Sequence, residues 1–151
     1  MLPNVLLGTL MMIVTTGVHS VFTIISLRVL SRWLHSRHNG HPFNAIGLIA
    51  GTILMFFVAA LVEVGMWAGA YLALGAIEDA ATSIYYSMVT FTTLGYGDIV
   101  LSDRWRLLSS LEAANGIIMF GWTTAVVMAV VQRSFAKVLE QIHRKKDPSV
   151  T

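Results

Sequence analysis

The chain has no cysteine, and only 12% of its 151 residues are Asp, Glu, Lys or Arg. The first absence excludes disulfides, thiolate metal sites and thiol nucleophiles. The second bears on the surroundings of the protein. A water-soluble domain carries about 25% charged residues, and here 56% of the residues are hydrophobic instead, which leaves too little polar surface to face water. The remaining charges are also confined. Met1 to Leu27 has none, Pro42 to Ile77 has only Glu63, and Leu107 to Gln132 has only Glu112. Each stretch is longer than the roughly 20 apolar residues a helix needs to cross a bilayer. Neither an internal repeat nor a low-complexity tract divides the chain, no nucleophile–base pair or cofactor-binding loop suggests an enzyme, and a formal charge of +2 gives nucleic acid little to bind. An all-α membrane protein of one domain follows, with lipid as its solvent.

The first apolar run lacks a basic start and exceeds the roughly 7–15 residues of a signal-peptide core, so it is expected to be a retained helix. Basic residues form two clusters. Arg28, Arg32 and Arg37 follow the first run among His35, His38 and His41, while Arg133, Lys137, Arg144, Lys145 and Lys146 follow the third. Positive residues mark the cytoplasmic side, and with three spans both clusters fall on one side. The expected topology has the N-terminus outside and the C-terminus cytoplasmic, in the cell membrane. The expected elements are a first helix over 5–30, a basic loop over 31–42, an outer helix over 43–73, a short helix over 77–92, a loop over 93–98, an inner helix over 104–133 and a cytoplasmic tail over 134–151. Asn39-Gly40-His41-Pro42 reads as a turn, with Pro42 in the first turn of the second span.

The stretch between the second and third spans is too short and too polar to cross the membrane. It can enter and return only if protein or water satisfies its backbone. Glu78 and Asp79 stand where acidic groups favour a helix start, and the opposite, partly negative end of that helix would face a cation. Thr93-Leu94-Gly95-Tyr96-Gly97-Asp98 follows at once. A dehydrated cation needs several oxygens together, and backbone carbonyls supply them without full charges. Aiming consecutive carbonyls at one axis requires dihedrals that side chains disfavour and glycine permits, as Gly95 and Gly97 do. One such loop makes only part of a cage, so several copies are required.

The run Tyr85-Tyr86-Ser87-Met88-Val89-Thr90-Phe91-Thr92-Thr93-Leu94-Gly95-Tyr96-Gly97-Asp98, set between two spans, resembles the pore-loop potassium channels, particularly the small prokaryotic ones. The resemblance extends from about Phe43 to Arg133 and implies a homotetramer with a re-entrant pore helix and a potassium-selective filter. In such proteins carbonyls take the place of the ion's hydration shell. By resemblance, Thr93, Leu94, Gly95, Tyr96 and Gly97 form the filter, with potassium as permeant ion and no cofactor. Tyr85 and Tyr86 would form a cuff holding Tyr96 and Asp98 outward. Leu94 stands for the usual valine and is expected to pack behind the strand, and Val89 replaces a carboxylate found in some relatives. Aligned through Arg106-Leu107, Gly116 falls at a hinge position, with close helix packing as the other reading. The same alignment turns Ile117, Phe120, Thr124, Met128 and Gln132 toward the permeation path, the last three at a cytoplasmic gate.

Polar residues inside the spans are costly. Glu112 is expected to support the filter from behind. Glu63 is read either as a buried, hydrogen-bonded carboxyl or as a proton-sensitive group, and the same pair of readings holds for His19, which shares a stripe with Thr16, Thr23 and Ser26. His35, His38 and His41 form either a membrane-surface segment or a sensing patch. No arginine ladder marks a voltage sensor, and the tail is too short for a ligand-binding domain. The alternatives to a potassium channel are a non-selective cation channel and a regulatory subunit on the same fold.

Overall fold

A computed structural model describes residues 2–36 and 42–146, all helix and connecting turns. The elements are α1 (Leu2–His35), α2 (Pro42–Ala73), α3 (Ala80–Phe91) and α4 (Arg106–Lys146). Three of them, α1, α2 and α4, are long and apolar enough to cross a membrane. The turn residues Asn39, Gly40 and His41, with Arg37 and His38 of the basic loop, lie outside the described residues, as do the side chains of Arg144, Lys145 and Lys146.

α1 runs parallel to α4, and its contacts follow the same order along both helices. Asn4 donates to the Arg104 carbonyl, Gly8 meets Leu111, Thr15 meets Asn115, His19 meets Thr123, and Trp33 meets Lys137. The N-terminal ends of α1 and α4 therefore share one side, and α2 returns between them. Gly75, at φ 62°, ends α2 with the paired bonds Ala76 N–H to Tyr71 O at 2.9 Å and Gly75 N–H to Leu72 O at 3.0 Å, the left-handed stop that glycine tolerates best.

α3 lies between α2 and α4. It starts later than the sequence suggests because Asp79 caps it, accepting from the Thr82 N–H at 2.8 Å. Asp79 is thus the residue before the helix, and Glu78 precedes the cap. Two serines one turn apart fasten α3 to α2: Ser83 Oγ donates to Ala68 O at 2.8 Å, and Ser87 Oγ lies 2.9 Å from Val64 O. Around this junction Val64, Trp67, Tyr71, Ile77, Tyr86, Phe91, Leu101, Leu108 and Met119 form the main core. Smaller clusters, Phe56–Ala59–Val126 and Trp33–Ala45–Val138, hold the rest of the bundle.

α4 does not stop at Arg133 but continues to Lys146. Neither glycine nor proline interrupts Ser134 to Lys146, and Val138 is buried against Trp33 and Ala45, so packing carries the helix past the end of its apolar run.

Candidate functional site

The loop after α3 has its amides turned back toward the helix. Thr93 N–H donates to Thr90 O at 2.9 Å, while Leu94 and Gly95 N–H both reach Val89 O, at 3.0 and 3.2 Å. Among the described residues no hydrogen bond reaches the carbonyls of Thr93, Leu94, Gly95, Tyr96 or Gly97. Positive φ recurs at every second residue: 59° at Thr93, 55° at Gly95 and 78° at Gly97. Such alternation turns successive peptide planes the same way, which an ordinary strand does not. Glycine allows it freely. Thr93 is a β-branched residue in a region it seldom occupies, a feature the sequence did not announce.

The alternation also sorts the side chains. Thr93, Gly95 and Gly97 border a cavity of about 460 Å³ together with Tyr86, Thr90 and Ser109. On this chain Leu94 is 54% exposed and Tyr96 is 68% exposed. Neither borders that cavity.

Within this chain the two tyrosines have different partners. Tyr85 donates to Asp98 Oδ2 at 2.7 Å, whereas Tyr86 donates to Ser109 Oγ at 2.7 Å on α4 and stacks edge-on against Tyr71. Consecutive helical residues lie about 100° apart, so while Tyr85 faces the loop, Tyr86 faces the core. The bond to Asp98 pushes the Tyr85 phenol above its ordinary range. At the other end of α3 the Thr82 amide and hydroxyl hold Asp79 below the usual carboxylate range.

Behind α3, the buried Glu112 joins three helices. Its Oε2 accepts from Tyr71 of α2 at 2.6 Å, and its Oε1 lies 2.5 Å from Ser87 Oγ of α3. Ser87 and Ser83 were missed in the sequence, although two serines at i and i+4 on an apolar helix were a visible signal. Gly116 approaches α3 so closely that a Cβ there would collide with the Phe91 carbonyl. This contact supplies the close-packing reading of that glycine. Next to it, the Phe91 and Phe120 rings meet edge-on at 5.8 Å.

His19 and Glu63, read separately in the sequence, are partners. His19 Nδ1 and Glu63 Oε1 are 2.9 Å apart in a buried site, and His19 Nε2 lies 3.2 Å from Thr123 Oγ1. Phe56 and Trp122 flank the imidazole. Ile117, Phe120, Thr124, Met128 and Gln132 are all exposed on this chain, along one face of α4. His35 Nδ1–H donates to Ser31 O at 2.8 Å within α1. Among the described residues no group of three His, Asp or Glu stands close enough to hold a metal.

Residues 48–133 match the profile of a family described as ion channel. The chain is 29% identical over 135 residues to the voltage-gated potassium channel Kch of Escherichia coli, covering 83% of this chain and 30% of Kch. It is 39% identical over 54 residues to the calcium-gated potassium channel TvoK of Thermoplasma volcanium, covering 35% of this chain and 16% of TvoK. The chain thus spans less than a third of the length of either relative. No solved structure matches it.

Proposed function

This chain belongs to the ion channel family, among the small prokaryotic pore-loop potassium channels, and on that premise we propose that four copies form a potassium-selective pore. The observation that carries the reading is the left-handed backbone at Thr93, Gly95 and Gly97, with the Thr93, Leu94 and Gly95 amides tied to α3 and, among the described residues, the loop's carbonyls free of protein donors. In a four-fold assembly the carbonyls of Thr93, Leu94, Gly95 and Tyr96, with the Thr93 hydroxyl, replace the hydration shell of potassium, and Gly97 completes the loop. α3 is then the re-entrant pore helix, its negative C-terminal end aimed along the ion path. Asp98 stands at the outer mouth, held by Tyr85. The exposed face Ile117, Phe120, Thr124, Met128 and Gln132 lines the inner path, with the last three at the gate.

The orientation rests on the parallel arrangement of α1 and α4. Their C-terminal halves bring Arg28, Arg32, Arg133 and Lys137 to one side, which the positive-inside rule assigns to the cytoplasm of a cell membrane.

A non-selective cation pore is the second reading. It is favoured by one observation: Tyr86 donates to Ser109 and, among the described residues, the exposed Tyr96 has no hydrogen-bond partner, so the filter's width depends on contacts between copies. Purified protein in planar bilayers under bi-ionic potassium and sodium decides between them. A reversal potential far from zero is expected for the wild type, and loss of selective current for Gly95→Ala. A reversal potential near zero selects the second reading, and unchanged selectivity in Gly95→Ala removes the filter assignment.

A further inference from the structure

The last turn of any helix leaves carbonyls without intrahelical donors. At that end of α1 one side chain from α4 collects three carbonyls, those of Trp33, Leu34 and Ser36, the last one just past the helix; Trp33 O also accepts the Ser36 N–H, at 3.3 Å. Lys137 Nζ donates to Trp33 O at 2.5 Å, Leu34 O at 2.8 Å and Ser36 O at 2.8 Å. An ammonium has three donors, so its capacity is filled. It also lies 4.7 Å from the centre of the Trp33 ring, whose face attracts a cation, and it meets the partly negative end of the α1 dipole. The ring is itself fixed, since Trp33 is buried beside Ala45 and Val138. The carbonyls, the ring face and the helix end draw the charge to the same place.

Both partners lie outside residues 48–133, the span that matches the ion channel family. The contact therefore joins the additional first helix to the extension of α4. Higher up, α4 is held by Gly116 against Phe91 and by Thr123 beside His19. Met128 and Gln132 lie between that upper attachment and Lys137. Val126 and Val130 are buried between these attachments, and Val138 packs beside Trp33, so a sideways swing of the lower part of α4 must also carry α1 with it or pull Lys137 from its carbonyls.

We propose that Lys137 is a positioning residue of the gate, a latch through which α1 sets the position of the cytoplasmic half of α4. This rests on the reading above that Met128 and Gln132 form the gate. Gating then depends on the first helix, although that helix contributes nothing to the ion path. α1 acts as a strut for the inner helix, and its cytoplasmic end is the point of control.

The test uses the full chain in planar bilayers with symmetric potassium, comparing wild type, Lys137→Met, Lys137→Arg and Trp33→Phe. Lys137→Met is expected to change open probability by about tenfold or more, which is the scale of losing one hydrogen bond to a charged group. The unitary conductance and the potassium/sodium reversal potential should stay at wild-type values, because the filter lies at the other end of α4. Lys137→Arg keeps the charge with a different fork and should give an intermediate open probability. Trp33→Phe keeps the carbonyls, weakens the ring contact and should shift gating less, in the same direction. A shift either way supports the latch, its sign telling whether the held position is shut or conducting. Wild-type gating in all three variants overturns the proposal, as does a gating change that always comes with altered conductance or selectivity. If Lys137→Met does not assemble, the other two variants decide by the same outcomes. Absence of potassium current from the wild type is a separate result, which counts against the channel reading itself.

Discussion

Gly116 of α4 lies directly against the carbonyl of Phe91, the last residue of α3, with no room between them for a methyl group. On helix propensity alone, Gly116→Ala should stabilise α4 by about 1 kcal/mol. The contact reverses that sign, because the added carbon must push the end of α3 away, and overpacking of this kind costs roughly 1–3 kcal/mol. Gly116→Ala is therefore expected to lower the thermal stability of the purified assembly and to disturb the adjoining Thr92–Thr93 loop. A variant as stable as wild type, with only its gating changed, would favour the hinge reading.

Tyr85 and Asp98 make a second such pair, joined at 2.7 Å at the exposed edge of the chain. Tyr85→Phe removes the donor and leaves the ring. Its expected effect is a shorter-lived conducting state at steady voltage with an unchanged reversal potential, measured in single-channel records. Tyr86→Phe should leave that lifetime alone, since Tyr86 bonds Ser109 instead. Equal effects from the two substitutions would restore the shared cuff.

The three spans and the segment between them were legible because charge is expensive in hydrocarbon, so its absence marks each crossing. The loop was legible because Gly95 and Gly97 stand alternately beside a threonine. Three kinds of feature were not. The division of labour between Tyr85 and Tyr86 depends on how α3 is rotated about its axis, which the 12-residue helix leaves ambiguous until its two serines are seen facing α2. The His19–Glu63 pair joins helices 44 positions apart, and no local pattern encodes such a distance. The continuation of α4 past Arg133 depends on Trp33 and Lys137, residues on separate helices that are informative only together.

Glu112 collects its bonds from two different helices, Tyr71 of α2 and Ser87 of α3. Glu112→Ala would strand the Tyr71 hydroxyl in a buried site, at about 1–3 kcal/mol, while Ser87 keeps the Val64 carbonyl as acceptor. Glu112→Gln keeps the shape and one acceptor. The expected order of thermal stability is wild type, then Glu112→Gln, then Glu112→Ala. Ser87→Ala should reproduce part of the Glu112→Gln phenotype in the lifetime of the conducting state, because both loosen α3 on the same side. If Glu112→Gln leaves that lifetime unchanged, the carboxyl is structural and does not support the filter.

Asp79 gives a pH test. Its bonds to the Thr82 amide and hydroxyl hold its carboxyl below the usual range. A carboxylate with a folded-state pKa below its unfolded value of about 3.9 stabilises the fold above that value, and the benefit is lost as pH falls through the lower, folded value. Thermal melts of wild type and Asp79→Asn should therefore differ most at neutral pH and converge under strong acid. A difference that persists unchanged under strong acid would assign the effect to capping shape alone, since asparagine also caps well.

The pair His19 and Glu63 links α1 to α2, and Thr123 extends the link to α4. Removing one member leaves the other buried without its partner, which is more damaging than removing both. The single variants His19→Leu and Glu63→Leu should each destabilise the assembly. The double variant should lose less than the sum of the two, with a coupling within the roughly 0.5–3 kcal/mol found for residues in direct contact. Denaturation of the four proteins in one detergent measures this directly. Additive losses would mean that the 2.9 Å approach of His19 to Glu63 contributes nothing beyond packing.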